Sequence, residues 1–110
     1  MAVLYDYPKY YDAAFSFRDI PAEAATIDTV IRRYSAVGVR RVLELGCGTA
    51  PHAGEFASRR ISYVGLDINH HMLAYARDRW QDTLPPPEFL HADMTAFRLD
   101  CPVDFAFVML

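Results

Sequence analysis

A chain of 110 residues holds at most one small domain, and it buries roughly 60–70% of the surface its unfolded form exposes, so one modest core is expected. A formal net charge of −3, with no basic run longer than a doublet, argues against electrostatic capture of nucleic acid or of an anionic membrane. No apolar stretch approaches the ~20 residues of a membrane helix, and the N-terminus lacks the basic-then-apolar layout of a secretion signal. Cys47 and Cys101 are too few for a disulfide framework or a zinc site, which points to a reduced, cytoplasmic setting.

The first 18 residues, "MAVLYDYPKYYDAAFSFR", hold four of the seven tyrosines plus Phe15 and Phe17, without a clean period. A loop or short helix that lays aromatics on another element is expected there. From Pro21 the pattern turns helical: Pro21 suits a first turn, Glu23 favours the positive dipole end, and Ile27, Val30, Ile31 and Tyr34 share a face. Gly38 reads as its C-terminal stop. A strand over Arg41–Leu45 leads into a glycine turn and a helix over His52–Arg60. "ISYVGLD" is a second strand closing at Asp67, and Asn69 caps a helix whose Met72, Leu73, Ala76 and Trp80 form a stripe. Prolines 85–87 break the chain; "EFLHAD" reads as a third strand and "VDFAFVML" as a fourth. Helices alternating with apolar strands predict an α/β fold with a parallel sheet and right-handed crossovers. The fourth strand is apolar on both faces, so as a terminal edge it leaves an unpaired ladder. Either the chain is a fragment of a longer protein or this edge pairs with another copy; the fragment is the favoured expectation.

The stretch "RRVLELGCGTAPHAGEFA" carries the chemistry. Glycine between a parallel strand and a helix lets the backbone turn sharply and lets a ligand approach the main chain. A dinucleotide fold wants G-x-G-x-x-G, yet the third glycine position is Pro51. Glu44, two residues ahead of the first glycine, suits a pyrophosphate neighbour poorly and points to a ligand that is cationic or at least not polyanionic. Asp67 ends the second strand 21 residues after Gly46, where a carboxylate can accept from a ribose diol; its alternative is a helix cap. Ile68 and Met72 offer an apolar face for an aromatic base, with plain core as the alternative for Met72.

Glu44-Leu45-Gly46-Cys47-Gly48-Thr49-Ala50 resembles the first motif of class I S-adenosylmethionine-dependent methyltransferases, with Ala50 in place of the motif's last glycine. "YVGLDINHHMLAYAR", "FLHADMTAF" and "VDFAFVML" resemble the second motif, the third motif and the fourth strand, in order, and "YDYPKYYDAAFSFRDIPAEA" resembles the lid segment ahead of the core. The resemblance covers about Val42 to the C-terminus. It implies a Rossmann-like doubly wound parallel sheet, strands ordered 3-2-1-4, preceded by a lid over residues 1–20; residues 21–110 form a partial domain truncated after the fourth strand.

The same resemblance implies S-adenosyl-L-methionine as cofactor, lying across the carboxyl ends of strands one to three. Glu44 and the Gly46 carbonyl then meet the ammonium of its methionine moiety. Asp93 accepts from the adenine amine and the Met94 N–H meets a ring nitrogen, the alternative for Asp93 being a solvated strand end. Cys47, with no base partner, lines the pocket beside Gly48 rather than acting as a nucleophile. Of the arm tyrosines Tyr5, Tyr10 and Tyr11, Tyr11 is the first choice to face the sulfonium, against simple packing of the arm. Val108 and Met109 line the methyl-donor end. The four histidines lack metal-ligand spacing, and His91 reads as packed within the third strand. The implied reaction is in-line displacement at the activated methyl, with the protein positioning partners and excluding water. In this family the acceptor site is built largely from segments after the fourth strand, so the chain is expected to bind the cofactor weakly and turn over poorly, acting on a small-molecule acceptor. Two other readings compete: a non-catalytic scaffold or regulatory module on the same fold, and an NAD-dependent oxidoreductase half. A minor one is an aminopropyltransferase.

Overall fold

The computed structural model describes residues 4–36 and 38–109. A single 3-10 turn, Leu4–Asp6, precedes helices α1 (Pro8–Ala14) and α2 (Ile20–Tyr34); then follow β1 (Arg41–Leu45), α3 (Ala53–Ser58), β2 (Ser62–Asp67), α4 (His70–Arg79), β3 (Glu88–His91) and β4 (Phe105–Val108). The four strands form one parallel sheet in the order β3-β2-β1-β4. This is the expected α/β Rossmann-like order. Among the described residues no helix is long and apolar enough to cross a membrane.

The sheet sorts the apolar residues by alternation. Val42, Tyr63, Phe89, Phe105 and Phe107 point to one face, where Ile27 and Ile31 of α2, Phe56 of α3 and Leu73 and Ala76 of α4 pack on them. Leu43, Val64 and Leu66 point to the other face and meet Leu90, Leu99 and Val103. Helices therefore cover one face, while the segment between β3 and β4 covers the other.

Register sets the site. Leu45 pairs with Leu66 and with Val108, and Asp67 pairs with His91. Gly46, Asp67, Ala92 and Met109 consequently leave their strands at one carboxyl edge. At the opposite edge Asp104 accepts the backbone N–H groups of Arg40 and Arg41 at 2.8 and 3.1 Å, and Arg41 forks onto Glu88 at 3.2 and 3.0 Å, which fixes the outer strands against β1.

Several expectations change in detail. Asp19, not the Pro21 region alone, starts α2 by accepting from the Ala22 N–H at 3.1 Å. The buried stripe of α2 is Ala24, Ile27 and Ile31, whereas Val30 and Tyr34 are 39% and 71% exposed. That helix ends at an extended Ser35, so Gly38 lies beyond its cap. β3 stops at His91 because Asp93 folds into a turn with Thr95 and Ala96. β4 keeps only Phe105–Val108; its edge away from β1 has no partner strand among the described residues, Ala106 and Val108 are exposed, and Leu110 lies outside those residues.

Gly65 in β2 is required by what lies across from it. A Cβ there would sit 2.7 Å from Cys47 Sγ and 3.1 Å from the Phe89 ring. Gly65→Ala is expected to lower stability by about 1–3 kcal/mol through overpacking, while Gly38→Ala, with nothing within 4 Å of its Cβ, leaves the melting temperature unchanged. Thermal denaturation of the two variants checks this, and adding Cys47→Ala to Gly65→Ala restores part of the loss.

Candidate functional site

Between β1 and α3 the chain takes three left-handed conformations in five residues: Gly46 at φ 64°, Gly48 at φ 56° and Ala50 at φ 53°. Glycine adopts such angles freely and alanine does so with strain, so the turn is held by its surroundings. The Cys47 N–H donates to the Leu66 carbonyl at 2.9 Å and the Ala50 N–H to the Cys47 carbonyl at 2.9 Å. Trp80 Nε1 donates to the Ala50 carbonyl at 2.8 Å, locking the strained residue from α4's side.

Asp67 is the hub. Its Oδ2 accepts the Gly48 N–H at 2.8 Å and its Oδ1 accepts the Asn69 N–H at 2.8 Å. The carboxylate is thus both a turn-holder and a loop cap, and each oxygen keeps a further acceptor position. Asn69 Oδ1 caps α4 by accepting from the His71 and Met72 N–H groups, as its place in the sequence predicts. Its Nδ2 donates to Asp6 Oδ1 at 3.0 Å, tying the N-terminal turn to the same edge.

A cavity of about 480 Å³ opens here, lined by Tyr5, Tyr11, Gly46, Gly48, Asp67, Ile68, Asn69, Met72 and Met109. A second of about 120 Å³ shares Gly46, Asp67 and Ile68 with it and adds Leu66, Ala92, Asp93 and Met94. Asp67 and Asp93 therefore stand on one crevice beside the glycine turn. No lysine or arginine lines either compartment among the described residues. Asp93 is exposed beyond β3; the Thr95 N–H, then its hydroxyl, bond to Oδ1 at 2.8 and 2.7 Å and lower its pKa, leaving Oδ2 without an intramolecular donor in the turn. Met94 covers Gly46, with its methyl 3.6 Å from where a Cβ would stand. Ile68 is 67% exposed along the rim and Met72 is buried in the wall. Burial, then neighbouring Tyr5, raises the pKa of Tyr11, which keeps its hydroxyl neutral.

Cys47 and Glu44, both expected in the pocket, point elsewhere. Cys47 is 4% exposed and turns its thiol into the sheet against Gly65, because the left-handed glycines on either side reverse the chain around it. It lines neither cavity, and burial, then the Glu44 charge, pushes its thiol far above the ordinary range, so it is inert. Glu44 is 2% exposed and also lines neither cavity; its Oε1 accepts from the Tyr63 hydroxyl at 2.6 Å and its Oε2 faces His52 Nδ1 at 3.6 Å. Alternation along β1 sends this side chain under the turn instead of into the opening. Met109 lines the main cavity; Val108 is 48% exposed and does not. His91 is exposed rather than packed, and its Nε2 bonds the Ile68 carbonyl at 2.8 Å.

Sequence reading missed the group that seats the arm. Asp12 accepts from the Thr49 hydroxyl at 2.6 Å, Arg79 at 2.8 Å and the Tyr75 hydroxyl at 3.3 Å, which pins α1 to the glycine turn and to α4 and carries Tyr11 over the cavity. Only its place beside Tyr11 hinted at this role. His52, 1% exposed, is a second such group; the sequence shows only that it starts a helix and lacks metal-ligand spacing. Among the described residues no cluster of His, Cys, Asp and Glu could hold a metal ion.

Comparison with known proteins identifies the family. Residues 42–110 match a family model described as a methyltransferase domain. The dTDP-3-amino-3,4,6-trideoxy-alpha-D-glucopyranose N,N-dimethyltransferase of Streptomyces venezuelae is 31% identical over 96 residues, covering 86% of this chain and 38% of the relative. The dTDP-3-amino-3,6-dideoxy-alpha-D-glucopyranose N,N-dimethyltransferase of Streptomyces fradiae is 33% identical over 82 residues, covering 74% and 30%. The structure of S-adenosylmethionine-bound CalS10, an amino pentose methyltransferase from Micromonospora echinaspora involved in calicheamicin biosynthesis, superposes with a TM-score of 0.78 at 32% identity, covering 92% of this chain and 42% of that one. The chain thus spans well under half the length of these relatives.

Proposed function

The chain belongs to the methyltransferase domain family, and on that premise we propose that its twin cavity binds S-adenosyl-L-methionine for methyl transfer to the amine of a small molecule, an amino sugar being the favoured class. The observation that carries this reading is the meeting of Asp67, Asp93 and the glycine turn on one crevice without a basic residue. Such a lining suits a cationic adenosyl compound and repels a pyrophosphate, which weighs against a dinucleotide. The left-handed Gly46 and Gly48 leave room for close approach of a ligand to the main chain. The amino-sugar class is supported by the names of the relatives given above.

When bound, S-adenosylmethionine supplies a methyl group already activated on a sulfonium. The protein's share is binding, orientation and exclusion of water. Asp67 accepts from the ribose diol with the positions its backbone donors leave open. Asp93 Oδ2 accepts from the adenine amine, the Met94 N–H meets the ring, and Ile68, Met72 and Met94 enclose it. The Gly46 carbonyl meets the ammonium, while Glu44 lies beneath the turn without lining the cavity and Cys47 fills the sheet side of the turn beside Gly48. Tyr11 and Tyr5 present ring faces to the cation from the arm, which acts as a lid over residues 1–20. No residue is assigned as a general base. Two free cysteines, one buried and one exposed, fit a reducing cytoplasm.

Titration calorimetry with S-adenosylhomocysteine tests this. Binding below about 1 mM is expected, weakened about 10–100-fold by Asp67→Ala, the loss of one or two charged hydrogen bonds. No heat at that concentration, or heat with NADH instead, contradicts it. The edge of β4 that has no partner strand among the described residues further supports self-association of two copies through that strand. Sedimentation is expected to show a concentration-dependent dimer; a clean monomer at high concentration removes the idea.

A further inference from the structure

The glycine turn is stapled across its base. Glu44 in β1 and His52 just ahead of α3 stand at the two ends of the turn, yet His52 Nδ1 lies 3.6 Å from Glu44 Oε2. The ring's other nitrogen lies 2.9 Å from Glu23 Oε1 on α2. His52 is 1% exposed, and its Nδ1 has no partner within hydrogen-bond distance. Two carboxylates therefore flank one imidazole that water does not reach. A neutral imidazole has a single N–H and must turn a lone pair toward one of them, whereas an imidazolium turns an N–H toward both. Glu44 is itself 2% exposed, and a carboxylate so far from water needs compensating partners. The Tyr63 hydroxyl of β2 is one, at 2.6 Å.

We propose that His52 is a positioning residue of this site: held as an imidazolium between Glu44 and Glu23, it closes the base of the glycine turn and fixes that turn to α2. When the ring loses its proton, the floor of the cavity loosens. Glu44 from β1 and Glu23 from α2 face the ring directly. One step behind stand Tyr63, on Glu44, and Arg18, whose Nε donates to Glu23 at 3.0 Å. The Cys47 thiol nearby stays neutral. Burial works against protonation of His52, but the nearby carboxylates of Glu44, then Glu23, outweigh it and raise the pKa above the ordinary imidazole value. A raised folded-state pKa means that this ordering is fully present below about pH 6.5, the unperturbed value, and is lost as pH rises through the folded-state value.

Ordering of the turn stands apart from the adenosyl reading, and only its effect on ligand binding rests on it. In the ligand-free protein, magnetic resonance of labelled histidine follows His52, and amide exchange follows the Cys47 and Gly48 N–H groups, which donate to Leu66 and Asp67. His52 is expected to titrate above the ordinary range, and protection of both amides to fall about tenfold through that titration, after correction for the intrinsic rate. His52→Gln is expected to lack the step and Glu23→Gln to move it to lower pH. Titration at or below the ordinary value, or protection that stays flat through it, overturns the proposal, and the wild-type data decide this even if His52→Gln does not fold. With S-adenosylhomocysteine added, affinity that weakens across the same interval supports the role at the ligand site. Affinity independent of pH refutes that role. Absence of binding at every pH instead refutes the adenosyl reading, and the exchange data still decide the role of His52.

Discussion

The carboxylate of Asp67 holds three segments in one frame: it takes the Gly48 N–H with one oxygen and the Asn69 N–H with the other, while its own strand runs beside β1. The glycine turn has two left-handed glycines and a left-handed alanine, and nothing within the turn alone would keep so irregular a backbone in one shape. Charged hydrogen bonds to backbone N–H groups are among the strong ones available, and here they span two loops that lie 19 residues apart. Because Asn69 also caps α4 and binds Asp6, the same frame reaches the helix and the N-terminal turn. The shape of the crevice follows from it.

Around that frame the charges are arranged in two levels. The rim carries Asp67 and Asp93 with aromatic and methionine side chains, and no basic residue among those described. Beneath the turn lies a second set, buried at Tyr63, Glu44 and His52 and half-buried at Glu23 and Arg18, whose members follow one another in sequence of contact. The upper level sets the charge of the crevice; the lower one holds the turn from beneath. Asp12 joins the levels from outside by seating α1 on Thr49 and Arg79, so the arm that carries Tyr11 is attached to the structure it covers.

Much of this was legible in the sequence, for identifiable reasons. Strand order and helix placement follow from periodicity and from glycine, proline and asparagine at their usual positions, which are local signals. Asp67, Asp93, Gly46, Gly48, Ile68, Met72, Met94 and Tyr11 all reach the crevice because each sits at a strand end, at the turn or on the arm. Cys47 and Glu44 do not, since direction of a side chain depends on the pleat and on the two left-handed glycines, which spacing alone does not encode. The roles of Asp12 and His52 are hidden for a different reason: their partners lie 37 and 29 residues away in sequence, and contacts at that distance exist only after folding. The same holds for Gly65, an ordinary strand glycine until Cys47 is seen above it.

Family membership rests on residues 42–110, and the crevice with its acidic, cation-free lining is the part of the molecule that gives membership a chemical meaning. The most direct measurement is the structure of the protein crystallised with S-adenosylhomocysteine. The account predicts density for the nucleoside between Asp67 and Asp93, with the ribose on Asp67 and the thioether end toward Tyr11 and Met109. Ligand density elsewhere, or an empty crevice with the Asp67 to Gly48 bond unchanged under saturating ligand, would contradict it.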